Sequence, residues 1–168
     1  MGYRFNPAND ILVLFESLSS VLKEYSSLKH LFLSSINNSE KNIIGALGKF
    51  TGRLNRDIKK KKGTYTHYMI TQPNGGSTCK RMNLFLRWMV RKDEIDTGIW
   101  NEAGTGKLIM PVDTHIARIS KHLRQKKKKS IDLKYAVELT ERLKSFDASD
   151  PVKYDFALCH IGIDGRNF

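Results

Sequence analysis

Apolar residues recur at spacings of three and four along almost the whole chain, and no segment alternates apolar and polar side chains as a half-buried strand does. This period places the apolar side chains on one stripe of an α-helix. It predicts helices over residues 10–25, 28–36, 77–92, 114–123, 132–146 and 150–163, a helix opening at 39, and one or two helical turns at 65–70. The sequence therefore predicts an all-α fold of about eight helices.

Polar residues at the starts of these segments are candidate helix caps. Asn9 or Asp10 is predicted to cap the first helix, Ser39 to open the third, and Ser77 and Asp113 to cap the two that follow them. The helix over 77–92 is apolar around much of its circumference, which predicts a central, buried helix. Its apolar residues are Met82, Leu84, Phe85, Leu86, Trp88, Met89 and Val90.

The length of 168 residues and an apolar fraction of 40% suit one globular domain. We expect residues 1–168 to form a single helical domain, with N-terminal helices in 1–63 and the chemistry-bearing region in 64–168. Lys and Arg number 29 against 17 Asp and Glu, a net charge of +12. Such an excess indicates a polyanionic partner, either nucleic acid or an anionic membrane surface.

Several classes of protein are disfavoured by what the sequence lacks. No apolar run approaches the roughly 18 residues that a membrane span needs. The two cysteines, Cys79 and Cys159, cannot ligate a four-thiolate iron–sulfur cluster or form a disulfide framework. No group of His, Cys and Asp has metal-ligand spacing, so neither a metal nor another cofactor is expected. A reducing cytoplasm is the expected compartment.

Two segments have the features of a chemical site. Gly75, Gly76 and Ser77 form a turn that leads directly into the helix containing Lys80 and Arg81. Glycines that permit close approach, next to the free N–H groups of a helix start, suit a phosphate. The second segment, residues 108–119, places Asp113 at the head of a helix after a short apolar run.

The run Val112-Asp113-Thr114-His115-Ile116, followed by Arg118, resembles the helix-hairpin-helix/Gly-Pro-Asp (HhH-GPD) superfamily of DNA glycosylases, which includes endonuclease III. Residues 76–86 are similar to the hairpin and following helix of that superfamily. The resemblance implies that Lys80 occupies the position of the nucleophilic lysine in lyase-competent members, and Asp113 that of the catalytic aspartate. It also implies base-excision repair on double-stranded DNA.

Residues 76–163 look more like an uncharacterised prokaryotic family within that superfamily, through the runs at 79–91 and 150–160. The turn departs from the better-known pattern, with Ser77 in place of a hydrophobic residue and Thr78 in place of a second glycine. Lys80 and Asp113 lie 33 positions apart, farther than in endonuclease III, and we assign the extra residues to 92–106. Members of the close family are generally longer at the N-terminus, so we expect this chain to be truncated and to lack a leading helical segment before Tyr3.

Each of the two central residues has an alternative role. Lys80 is either a nucleophile that attacks a sugar C1′ or a lysine that contacts phosphate at a helix start. Asp113 either stabilises a positively charged sugar or caps its helix, and one carboxylate can do both. Cys79 is either reactive or a small packed side chain, and Trp100 either stacks on a base or joins the core.

The remaining candidates are basic or aromatic. DNA contacts are predicted for Gly75, Gly76, Ser77, Arg81, Arg118 and a basic loop that contains Lys126, Lys127, Lys128 and Lys129. Phe85 and Trp88 are expected in the core. His115 and His160 lie on mostly apolar helix faces and are expected in the core or beside the site.

The leading hypothesis is a monomeric DNA glycosylase of the cytoplasm and nucleoid, with an abasic-site lyase step if Lys80 is the nucleophile. It would flip a damaged base out of duplex DNA and cut its N-glycosidic bond. The first alternative is a catalytically inactive DNA-binding module of the same fold. The second is a basic helical protein that acts on RNA or on a protein partner.

Overall fold

The computed structural model describes residues 7–58, 60, 69–120 and 130–163. Within these ranges the chain forms seven α-helices and no strand, apart from an isolated antiparallel bridge between Lys92 and Thr97. The all-α prediction is confirmed for this part of the chain. The helices are α1 (Ala8–Tyr25), α2 (Leu28–Ser35), α3 (Ile44–Ile58), α4 (Lys80–Val90), α5 (Thr114–Ile119), α6 (Leu133–Lys144) and α7 (Asp155–Ile163).

Helices α1, α2 and α3 pack against one another and bury the apolar stripes seen in the sequence. Ser17 of α1 donates a hydrogen bond to the Leu54 carbonyl of α3 at 2.6 Å, which satisfies a buried hydroxyl between the two helices. The predicted cap of α1 is wrong, because Pro7 occupies the N-cap position and no side chain caps the helix. Asp10 is the third residue of the helix, within its first turn, and is buried.

The predicted start of α3 is also wrong, because the helix begins at Ile44 and not at Ser39. Two asparagine side chains hold the preceding residues in turns. Asn37 Oδ1 accepts from the backbone and the hydroxyl of Ser39, and Asn42 Oδ1 accepts from Ile44 N at 3.1 Å. Such local side-chain bonds compete with helical ones and delay the helix.

An aromatic cluster forms the centre of the core. The Trp100 ring stacks on Phe32 at 5.7 Å between centroids and meets Phe50 and Phe85 edge to face. Trp100 is 5% exposed, so it belongs to the core and not to a base-stacking surface. Phe85 packs against the core as predicted.

Helix α4 is less central than its composition suggested. Trp88 is 42% exposed, so its predicted core position is wrong. Residues 92–100 turn back onto the end of α4 without covering the Trp88 ring. Thr97 N and Gly98 N both donate to the Trp88 carbonyl, and Trp100 N donates to that of Met89. Gly98 adopts a φ of 62°, where a β-carbon would lie 2.5 Å from Lys92 Cβ.

Helix α7 begins at Asp155, five residues later than predicted, because residues 151–154 form turns. Helix α6 begins after Asp132, whose side chain accepts from Tyr135 N. Between α4 and α5, four apolar residues of the segment 108–112 are almost fully buried: Leu108, Ile109, Met110 and Val112. The Thr140 hydroxyl of α6 accepts from Met110 N at 2.9 Å and fixes this segment in front of Asp113.

Replacing Thr140 with valine is expected to destabilise the fold by about 1–3 kcal/mol, because Met110 N would then be buried without an acceptor. Urea unfolding measures this loss. Thr51→Val is the matched control, since the buried Thr51 hydroxyl only donates to carbonyls of its own helix. Equal losses in the two variants would contradict a special role for the hydrogen bond from Met110.

Candidate active site

The turn before α4 exposes backbone on the protein surface. Pro73–Gly75 form a short 3-10 turn, and Gly76 follows with a φ of 72°, a conformation that favours glycine. Gly75 and Gly76 are exposed, and a β-carbon at either position would meet no atom within 4 Å. Ser77 does not cap α4 as predicted, because the helix begins at Lys80, and its hydroxyl accepts from Cys79 N instead.

Two hydrogen bonds at Thr78 tie this turn to the segment that contains Asp113 and to α4. The Thr78 hydroxyl donates to the Val112 carbonyl at 2.9 Å, and the Asn83 amide donates to the Thr78 carbonyl at 3.0 Å. Thr78 stands where the superfamily that the sequence resembles has a second glycine. Its hydroxyl therefore helps to hold the starts of α4 and α5 together.

Lys80 and Asp113 meet in space. Lys80 Nζ lies 2.6 Å from Asp113 Oδ2, although the residues are 33 positions apart in the sequence. The Lys80 side chain is 40% exposed and that of Asp113 is 19% exposed, so this ion pair is accessible from solvent. Each residue is fixed by its place at a helix start, since Lys80 is the first residue of α4 and Asp113 is the N-cap of α5.

Asp113 caps α5, as one of the two predicted roles required, and its second carboxylate oxygen binds Lys80. Its Oδ1 accepts from Ile116 N at 2.9 Å, which is a helix cap, while Oδ2 binds Lys80. Burial acts to raise the pKa of Asp113, but the hydrogen bond from Lys80 and the N–H of Ile116 outweigh it and keep that pKa below its usual value. The carboxylate is therefore charged at neutral pH.

A second carboxylate lies behind this pair. Asp155, the first residue of α7, is 5% exposed and is bound by the Arg87 guanidinium of α4. Burial raises the pKa of Asp155 to about 6; the charges of Arg87 and Lys80 oppose this, and that of Asp113 adds to it. Sequence reasoning missed Asp155, although it belongs to the run at 150–160 that carried the closer resemblance.

Arg87 and Arg91, one turn apart on α4, hold four carboxylates. Arg87 binds Asp96 as well as Asp155, and Arg91 binds Asp96 in turn at 3.0 Å. Arg91 also binds Asp93 and Asp150. This arginine–aspartate network joins α4 to the loop after it and to the segment that leads into α7.

The two cysteines differ in their surroundings. Cys79 is fully buried, and burial raises the pKa of its thiol, so the packed alternative holds and not the reactive one. Cys159 lies one turn after Asp155 on α7 and is partly buried. Burial, and then the charges of Asp113 and Asp155, raise the pKa of the Cys159 thiol.

The other predicted site residues are distributed over the surface. Arg81 and Arg118 are exposed at the helices that carry Lys80 and Asp113. His115 and His160 are exposed as well, so their predicted place in the core is wrong; the His160 ring contacts Phe156 instead. The predicted lysines of the basic loop lie outside the described residues: Lys126, Lys127, Lys128 and Lys129.

Two further observations concern ligands and membranes. Among residues 7–58, 60, 69–120 and 130–163, no group of three or more His, Cys, Asp or Glu side chains is arranged to hold a metal ion. None of the helices in the same ranges is long and apolar enough to cross a membrane.

The comparisons with known proteins give one match. No curated protein and no solved structure matches the chain. A family model described as "Protein of unknown function (DUF2400)" matches residues 1–164. This match covers nearly the whole sequence, and the chain therefore belongs to the DUF2400 family.

Proposed function

We propose that this protein is a DNA glycosylase of the HhH-GPD type, with Lys80 as the nucleophile and Asp113 as the stabilising carboxylate. The distance of 2.6 Å between Lys80 Nζ and Asp113 Oδ2 carries the proposal. The amine and the carboxylate that the resemblance implies therefore form an ion pair, which lies at two helix starts and within reach of solvent. An ion pair that solvent reaches contributes little to stability on its own.

The chemistry follows from the two side chains. The lone pair of the neutral Lys80 amine attacks C1′ of a flipped nucleotide, and the C1′–N bond breaks with its electrons going to the departing base, which takes up a proton. Nζ then gives up one proton and forms a double bond to C1′, while the C1′–O4′ bond breaks with its electrons going to O4′, which takes up that proton; the product is a protonated Schiff base between Nζ and C1′. The Asp113 carboxylate stabilises the positive charge that develops on the sugar.

The surface around the pair suits duplex DNA as the partner. Gly75 and Gly76 present open backbone where a phosphate can approach closely, and Arg81 and Arg118 are exposed nearby on the same two helices. The net charge of +12 favours binding to a polyanion. When a nucleotide of chromosomal DNA in the cytoplasm is flipped out of the duplex, its C1′ would come to lie between the starts of α4 and α5.

Trapping with borohydride tests this function. The purified chain is incubated with duplexes that contain one abasic site or one damaged base, and sodium borohydride reduces any Schiff base to a stable amine. A covalent protein–DNA band supports the proposal. Specific binding without an adduct or base release from any duplex would favour an inactive DNA-binding module, and no binding at all would favour an RNA or protein partner.

Replacing Lys126, Lys127, Lys128 and Lys129 with glutamine is expected to weaken binding to all duplexes about equally. Each phosphate that a lysine neutralises adds roughly 0.9 to the slope of log affinity against log salt, so the slope should become shallower by about that amount for each such lysine removed. Fluorescence anisotropy over a salt series measures it. Replacing Lys23, Lys41, Lys49 and Lys144 is the charge-matched control, and equal changes in both variants would contradict a specific role for the loop.

A further inference from the structure

The proposed reaction requires that Lys80 lose a proton. An ammonium group has no lone pair with which to attack C1′, and the ion pair with Asp113 stabilises the ammonium form of Lys80. Asp113 is a poor final acceptor for this proton, because a neutral carboxyl group could no longer stabilise the positive sugar. The chemistry therefore requires a second proton acceptor near Nζ.

We infer that Asp155 is the acceptor for the proton that Lys80 loses before its amine attacks C1′. This inference rests on the proposed glycosylase function and adds a residue for which the resemblance implied no role. Asp155 would act on Lys80 and not on the substrate itself.

The position of Asp155 supports this role. Asp155 begins α7, which packs against α5, the helix that Asp113 caps. Arg87, which binds the Asp155 carboxylate, lies two turns after Lys80 and so on the same face of α4. The charges of Lys80 and Asp113 both act on the Asp155 carboxylate.

The surrounding charges give this carboxylate a suitable proton affinity. Lys80 and Arg87 face it from α4, Asp113 from the start of α5, and Cys159 from α7 itself. Asp96 acts on it through Arg87. Burial raises the pKa of Asp155 to about 6, so near neutral pH it is charged and accepts a proton more readily than Asp113.

One proton passes from Lys80 to Asp155 and then to the departing base. An N–H bond of the Lys80 ammonium breaks, its electrons stay on Nζ, and the proton passes to an Asp155 oxygen. When the C1′–N bond breaks, the departing base takes a proton from Asp155 and leaves as a neutral species. Asp155 returns to its charged form beside Arg87.

The test is the pH dependence of adduct formation, measured under single-turnover conditions with a duplex that contains one abasic site and with borohydride present. For the native chain the rate should fall about tenfold per pH unit below pH 6, where Asp155 is protonated, and level off above it. Asp155→Asn should be slower by about 10²-fold at pH 7. Its rate should rise about tenfold per pH unit, because hydroxide must then remove the proton.

Asp150→Asn is the matched control. Asp150 is a carboxylate of the same arginine–aspartate network, bound to Arg91 at 2.8 Å, so its replacement tests the structural part of the network. This variant should keep the native pH profile. An Asp155→Asn profile that runs parallel to the native one at a constant lower rate would overturn the inference and leave the glycosylase proposal intact.

Asp155→Glu keeps the test valid if the asparagine variant does not fold. It retains an acceptor on a longer side chain, so the acidic fall in rate should persist with a shifted midpoint. An unshifted midpoint would overturn the inference. Failure of the native chain to form any adduct would instead overturn the proposed function, and this inference with it.

Discussion

Lys80→Ala is expected to form no covalent adduct with any duplex that the native chain traps. The variant lacks the only amine bound to Asp113 among the residues that the structure describes, and a methyl group cannot form a Schiff base. Gel electrophoresis after borohydride treatment measures the adduct. Binding to the same duplex should fall only slightly, because the variant lacks one cation among 29.

Arg81→Ala is the matched control for Lys80→Ala. It removes the neighbouring cation from the same helix start and has no effect on the amine, so the adduct should still form, with the affinity reduced by one phosphate interaction. Trapping by Lys80→Ala at the native rate would show that another residue is the nucleophile. Absence of trapping in both variants alike would point to a defect in DNA binding.

Asp113→Asn is expected to slow adduct formation and base release by about 10²- to 10³-fold, with little change in DNA affinity or stability. Asparagine caps a helix nearly as well as aspartate, so α5 should keep its start. The amide lacks the negative charge that stabilises the sugar cation. Single-turnover rates and thermal unfolding of the same preparation separate the two effects.

Asp132→Asn controls for the capping role of Asp113. Asp132 caps α6 in the same way, with its side chain accepting from the N–H three residues later. This variant should keep the native rate. If Asp113→Asn and Asp132→Asn both changed the rate only slightly and by the same factor, Asp113 would act only as a helix cap. That result would favour the inactive DNA-binding module.

The periodicity of the apolar residues was sufficient to predict the fold class and most of the helices. Helices α1, α2 and α6 lie within two residues of their predicted bounds, because each has an apolar stripe with a clear polar boundary. The meeting of Lys80 and Asp113 required more than periodicity. Their spacing of 33 residues carries no geometric information, and only the resemblance indicated that the two should be close.

The predictions that were wrong or missing depend on contacts that the pattern of apolar residues along the sequence does not show. The late start of α3 depends on two asparagine side chains that bond to backbone in a turn. The exposure of Trp88 depends on the path of the loop after α4, which joins the end of the helix and leaves its side open. Asp155 could have been noticed as a charged residue that opens an apolar helix, but its partner Arg87 is 68 positions away.

These separations also determine the order in which the site assembles. Lys80 and Asp113 are 33 positions apart, whereas Arg87 and Asp155 are 68 apart, so the second pair closes a loop about twice as long. Contacts between distant parts of a chain carry a larger entropic cost and tend to form later in folding. During synthesis the amine and its aspartate can meet before residue 155 exists, and the buried carboxylate joins them only when the last helix docks.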